Sequence, residues 1–284
     1  MTVFKAACVQ TTALPEIEPN LKAVGDLIRR ARDQGAELIM TPEVSDMIEP
    51  KRTERLRKAK PEAENALLGV ASGLAKETGA WILLGSVTVR LEGDKLANRS
   101  LLVGPDGRVA ARYDKIHMFD VDLPNGERYR ESAVFEPGQA GVLATLPWGT
   151  LGMTICYDLR FPHLYRSLGH GGADFLTVPS AFTVPTGKAH WHVLLRSRAI
   201  ENGAFVFAPA QWGQHHEGRK TYGHSLIISP WGEVLADGGE EGTGVIVAEI
   251  DTAKIAEARA SVPSLRHDRP FSEPPQVVKP LAAE

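Results

Sequence analysis

Residues 151–160, LGMTICYDLR, constrain the fold more than any other stretch of this chain. Leu151, Met153 and Ile155 alternate with Gly152 and Thr154, the two-residue period of a half-buried strand. The apolar run stops at Cys156, and Tyr157 and Asp158 follow. Pro162 suits the first turn of a helix, where its missing N–H costs nothing. Leu164, Tyr165 and Leu168 continue at helical spacing to Gly169, the expected C-cap. Cys156 is thus expected where a strand hands over to a helix, a place that can present its side chain outward. Taken alone, it fits a small apolar residue at a strand end equally well.

The flanking chain repeats this alternation. Residues 2–9 read as a strand, and Asn20 as the cap of a helix that carries Leu21, Val24, Leu27, Ile28 and Ala31 and ends at Gly35. Residues 36–41 are a short apolar strand that Pro42 stops just before Glu43. The charged residues 51–60 read as a solvated face, residues 61–78 as a helix and 81–86 as a strand. Such alternation predicts a layered α/β fold. Residues 99–103 and 108–113 flank Gly104-Pro105-Asp106-Gly107, a hairpin signal, and Lys115 follows the second arm. Residues 124–138 read as a long surface loop holding Glu131. Farther on, 174–179, 205–209, 224–229, 233–236 and 245–250 read as strands, and 188–202 and 252–261 as helices. One domain is expected over residues 1–262, with a Pro- and charge-rich tail at 263–284 that packs on a surface or a partner.

Composition excludes several function classes. Thirty-two Lys and Arg against 35 Asp and Glu leave a net charge of −3, which is no footprint for nucleic acid. No apolar run approaches a membrane span, and the N-terminus does not read as a signal peptide. Two cysteines, Cys8 and Cys156, do not make a disulfide framework, so a reducing cytoplasm is the expected setting.

Glu43, Lys115 and Cys156 each fall just past an expected strand, where layered α/β sheets build their sites. A thiol with an unperturbed pKa of about 8.5 needs a base or a cation beside it to act as nucleophile. Glu43 suits the proton transfers and Lys115 an oxyanion, helped by the N–H of Tyr157. His117 is a weaker candidate base. His190, His192, His215 and His216 lack the spacing of a zinc site, and no phosphate-binding glycine loop occurs.

The ordered motifs TPE at Glu43, YDKIHMFD at Lys115 and TICYDLRFP at Cys156 resemble the nitrilase, or carbon–nitrogen hydrolase, superfamily from about Val3 to Phe271. The resemblance implies a four-layer αββα sandwich with two mixed β-sheets. It implies a homodimer or higher homo-oligomer paired through the helix after the cysteine, and hydrolysis of a non-peptide C–N bond through a thioester with no metal or organic cofactor. It assigns a second glutamate to Glu131, with Glu127 and Glu136 nearby but matching less well. Residues 179–202 and 211–236 narrow the resemblance to the amidases of deaminated glutathione, with ω-amidases on 2-oxoglutaramate or another small aliphatic carboxamide as the alternative. By the same resemblance, Arg160, Phe182 and Thr186 line the acyl pocket. Arg160 also suits a substrate carboxylate gripped at two points, or an ion pair with Asp158 or a glutamate. Residues 211–221, with His215, His216, Arg219 and Lys220, are expected to receive the leaving group, or to be a plain basic turn. An acyltransferase and a silent interaction module are the rivals from other classes.

Overall fold

The apolar runs assemble into two six-stranded sheets in the computed structural model, which describes residues 2–123 and 126–271. The first sheet contains β1 (Val3–Gln10), β2 (Leu38–Met40), β3 (Trp81–Arg90), β4 (Leu96–Val103) and β5 (Val109–Asp114), with β16 (Gly244–Asp251) beside β1. Past a small hairpin of β6 (Asp120–Asp122) and β7 (Arg128–Arg130), the second sheet is built from β8 (Val142–Leu146), β9 (Gly149–Met153), β10 (Phe175–Thr177), β11 (Phe205–Ala208), β14 (Leu226–Ile228) and β15 (Val234–Asp237). A second hairpin, β12 (Trp212–Gln214) with β13 (Lys220–Tyr222), stands outside both. Each sheet is parallel at its centre, β1–β2–β3 and β9–β10–β11, and antiparallel towards its edges. Both sheets are therefore mixed.

Helices α1 (Ile17–Asp33) and α3 (Ala66–Thr78) cover the outer face of the first sheet, with Val24, Ile28 and Leu67 packed in one cluster with Ile39 and Ile82. Helices α4 (Pro162–His170) and α5 (Val184–Asn202) cover the second sheet. Two smaller helices, α2 (Arg52–Lys58) and α6 (Ala253–Ser261), complete the set among the described residues. The inner faces meet each other: Phe4 stacks on Trp148 at 4.1 Å and meets Phe175 edge-on at 5.7 Å. The layers are thus α, β, β, α, as expected. Strands buried on both faces need continuous apolar runs, and Leu38-Ile39-Met40, all fully buried, is such a run. Each contributes about 2–3 kcal/mol through burial.

Several boundaries differ from expectation. Helix α1 starts at Ile17, with Pro19 in its first turn, so Asn20 lies inside it. Buried there, Asn20 accepts from Leu14 N and donates to the carbonyls of Leu14 and Asp46, at 2.8–2.9 Å. Residues 61–78 split into a 3₁₀ turn, Glu62–Glu64, and α3, because Asn65 caps α3 by accepting from Leu68 N at 3.1 Å. Helix α4 runs on to His170, and Gly169 is buried against Asn202. Helix α5 begins at Val184, with Pro185 in its first turn. Residues 124–138 are not one loop, since β7 and a 3₁₀ turn, Glu131–Ala133, interrupt them. Of the expected tail, residues 272–284 lie outside the described residues. Before them, Arg166 donates to Ser264 O at 2.6 Å and pairs with Asp268, which ties this segment to α4. Among the described residues no helix is long and apolar enough to cross a membrane.

Candidate active site

Three strand ends converge between the sheets. Glu43 follows β2, Lys115 follows β5 and Cys156 opens a 3₁₀ turn, Cys156–Arg160, just past β9. Gly85 allows the approach. A Cβ there would overlap the carbonyls of Thr41 and Pro42 and the ring of Pro179, so only glycine lets the two sheets close at this point. Val44 (φ 47°) and Cys156 (φ 50°) both occupy the left-handed region, at a cost of order 1–3 kcal/mol each. Hydrogen bonds hold them there: Val44 N donates to Ser86 Oγ at 2.8 Å, and Cys156 N to Pro179 O at 3.0 Å. Two of the three non-glycine residues with positive φ among the described residues, the third being His224, are thus the thiol and the residue beside Glu43.

The Lys115 ammonium donates to Glu43 Oε1 at 2.9 Å and to both carboxylate oxygens of Glu131, at 3.0 and 2.8 Å. Asn98 Nδ2 bridges the two carboxylates, at 2.9 Å from Glu43 and 3.2 Å from Glu131. Backbone N–H groups complete the set, Ala181 N on Glu43 Oε2 at 2.9 Å and Phe119 N on Glu131 Oε2 at 2.7 Å. Glu43, Lys115 and Cys156 are 5%, 2% and 8% exposed, so unpaired charges here would be costly. Burial favours the neutral forms of Glu43 and Lys115, and the ion pairs overcome it. Glu131 and Glu43 hold the Lys115 pKa well above its ordinary value, and Lys115 holds the Glu43 carboxyl below the usual range. Burial, then the Glu43 carboxylate, pushes the Cys156 thiol up, while Lys115 and the Ala181 N–H pull the other way. The resting site is therefore a thiol, a carboxylate and an ammonium. Glu43 is placed to take the thiol proton, and Lys115 to balance the charge.

A cavity of ≈ 370 Å³ opens onto this group, and Tyr157, Arg160, Phe182 and Thr186 all line it. The Arg160 guanidinium lies 5.2 Å from the Phe182 ring centre and 5.9 Å from that of Tyr157, and its Nη1 is 3.2 Å from His190 Nδ1. Thr186 Oγ1 lies 2.8 Å from Thr183 Oγ1. The ion pair between Arg160 and Asp158, one of the expected alternatives, does not form. Asp158 is buried and accepts from Tyr113 OH (2.7 Å), Ile155 N (2.9 Å) and His117 N (3.0 Å). His117 Nδ1 also lies 2.7 Å from Asp158, and its ring stacks on Phe161 at 3.5 Å, so it does not line the cavity. Glu127 accepts from Tyr129 OH at the surface and Glu136 is exposed; of the three neighbouring glutamates only Glu131 reaches Lys115.

Residues 211–221 fold largely as the β12–β13 hairpin, and of their four basic residues only Arg219 lines the cavity. His215 is buried, with Nδ1 2.9 Å from Ala13 O and Nε2 2.7 Å from Thr221 Oγ1. His216 and Lys220 are exposed. Sequence reasoning missed Asn98, which lies one residue before the expected strand 99–103 and is followed by Arg99 and Ser100, so no local pattern marks it. It also missed Arg55, which reaches the cavity from the segment expected to be solvated. His192 is joined by His224 and Asp237, with donor atoms within 4.8 Å of one another, and none of the three lines the cavity.

Known proteins agree with this architecture. The carbon-nitrogen hydrolase family profile matches residues 5–260. A Synechocystis protein named deaminated glutathione amidase is 44% identical over 271 residues, 94% of this chain and 98% of its own. The mouse protein of the same name is 41% identical, covering 93% of this chain and 83% of its own. The crystal structure of the C. elegans NitFhit protein superposes with a TM-score of 0.88 at 35% identity, over 94% of this chain and 65% of that one. The chain belongs to the carbon–nitrogen hydrolase family and is a hydrolase of C–N bonds.

Proposed function

We propose that this protein hydrolyses the amide of deaminated glutathione to 2-oxoglutarate and cysteinylglycine, with Cys156 as nucleophile. One observation carries the reading. A buried thiol, carboxylate and ammonium meet at the floor of a cavity that also holds Arg160, in a chain 44% identical to a protein of that name. Sγ of Cys156 attacks the amide carbonyl carbon as its proton passes to Glu43. The carbonyl oxygen takes the electron pair beside the Lys115 ammonium and the Tyr157 N–H. Collapse breaks the C–N bond, and the departing nitrogen takes the proton from Glu43. A water that Glu43 deprotonates then attacks the thioester carbon, the C–S bond breaks, Glu43 returns the proton to Sγ of Cys156, and 2-oxoglutarate leaves. Glu131 keeps Lys115 charged and aimed, and Arg160 holds the keto-acid carboxylate against Phe182 and Thr186. No step requires a metal or an organic cofactor.

Residues 1–262 would form the one catalytic domain, working in the cytoplasm as a homodimer or higher oligomer. Exposed Val193 and Ile200 on α5, next to α4, support a pairing surface there. The test is release of cysteinylglycine from synthetic deaminated glutathione, compared with ammonia release from 2-oxoglutaramate. We expect kcat/KM to favour the first by at least about tenfold, the worth of one good charged contact. Equal rates would move the assignment to an ω-amidase.

A further inference from the structure

The cavity carries more positive charge than the reaction centre uses. Arg219 reaches in from just before β13 and Arg55 from α2. Arg219 Nη2 makes one long hydrogen bond, to Ala181 O at 3.4 Å, and the guanidinium lies 5.8 Å from the Tyr129 ring centre. Its Nε–H is buried with no hydrogen-bond partner. Arg55 donates to the backbone carbonyl of Glu49 and lies 5.6 Å from the Phe135 ring centre. Among the described residues, neither guanidinium has a carboxylate within ion-pair distance. The nearby Glu49 carboxylate is engaged by Lys58, and Glu131 by Lys115. A half-buried cation in such surroundings is stabilised by an anion that binds there, because a buried N–H without an acceptor and two repelling charges are both unfavourable.

Position says which half of the substrate this concerns. Ala181 joins the pieces, since its N–H binds Glu43 and its carbonyl binds Arg219. Glu43 must give its proton to the departing nitrogen, so the amine half lies on the Glu43 side. Arg160 is held elsewhere, over Phe182 and Tyr157. We propose that Arg219 and Arg55 form a carboxylate subsite for the amine half, so that the enzyme selects amides whose leaving group is a short peptide with a free C-terminus. The inference rests on the amidase reading above and deepens it. A dipeptide places that carboxylate on the order of 7 Å from the scissile nitrogen, and a guanidinium fork matches its geometry.

The experiment compares deaminated glutathione with its C-terminal carboxamide, which shares the acyl group, the thiol and the scissile bond but lacks the terminal charge. For the parent enzyme we expect kcat/KM to favour the carboxylate by at least about tenfold. Arg219→Gln should bring that ratio below about three and Arg55→Gln should lower it less, while Arg219→Lys should restore part of it. A general loss of folding or of Glu43 function slows both substrates alike and leaves the ratio where it was. A parent ratio near one, or a ratio unmoved by Arg219→Gln, overturns the subsite. Failure of the amidase reading is read separately, by replacing the 2-oxoglutaryl group with butyryl. If the butyryl amides are cleaved as well and the carboxylate preference persists, the acyl assignment falls and the subsite stands. If no dipeptide amide is cleaved, both fall.

Discussion

Replacing Glu131 with glutamine changes one charge and almost no volume, which makes it a sharp test of how Lys115 is held. In the parent, Glu131 Oε2 accepts from Lys115 and Phe119 N, and Oε1 accepts from Lys115 and Asn98. Whichever oxygen becomes the amide nitrogen, two donors then face a third donor. Losing a hydrogen bond to a charged group costs about 2–3 kcal/mol, and if that cost falls on the transition state, kcat drops roughly 30- to 150-fold. The pH profile should move too. Glu131 is the largest of the interactions that raise the Lys115 pKa against its burial. Without it, burial is less opposed and the pKa falls, so kcat/KM of the variant should decline at the alkaline end of the range, where that of the parent holds. The assay is steady-state turnover of deaminated glutathione from pH 6 to about 10, with circular dichroism to check folding. Full activity with no alkaline decline would refute the reasoning. So would a larger loss in Glu127→Gln or Glu136→Gln than in Glu131→Gln.

Cys156→Ala should lower turnover by about 10⁴-fold or more, whereas Cys8→Ala should stay active, because Cys8 is buried with its Sγ 3.7 Å from Leu226 O; residual activity of the first variant, measured with thiol-alkylation stoichiometry, decides it. Arg160→Ala should raise KM for 2-oxoglutaryl amides by about tenfold or more and leave amides of neutral acyl groups little affected, which a two-substrate comparison will show. His215 gives a stability prediction. Burial, then the Arg219 charge, lowers its pKa to about 4 against the hydrogen bond to Ala13. Between that value and the unfolded pKa of about 6.5 the unfolded chain binds more protons, so stability is lost as pH falls through this window, by up to about 3 kcal/mol. Thermal melts at pH 7 and pH 4.5 should show a smaller drop for His215→Gln than for the parent, and equal drops would contradict the assignment.

The strands that end at Glu43 and Cys156 and the hairpin that leads to Lys115 were legible in the sequence because their signals are local. An apolar run ends at a proline, an alternation stops at a cysteine, and Gly104-Pro105-Asp106-Gly107 turns the chain. The order of the three motifs carried the family, and with it the four layers. Hairpins of three-residue strands, such as β12–β13, are too short to show a period, so residues 211–221 read as a loop. Partner choice was not legible either. Glu131, Glu127 and Glu136 are nearly equivalent along the chain, and only the fold around Lys115 separates them. Lys115 and Glu43 are 72 residues apart, and they meet only because β2 and β5 are brought into one sheet with β3 and β4 between them. The same holds for Asn98 and Arg55, one polar residue among three in a buried strand and one arginine in a charged helix. A sequence states which groups are available and which local geometry they prefer. Which charges face each other, which are desolvated, and therefore which side chains titrate or bind is set by long-range packing, because electrostatic energy depends on distance and burial.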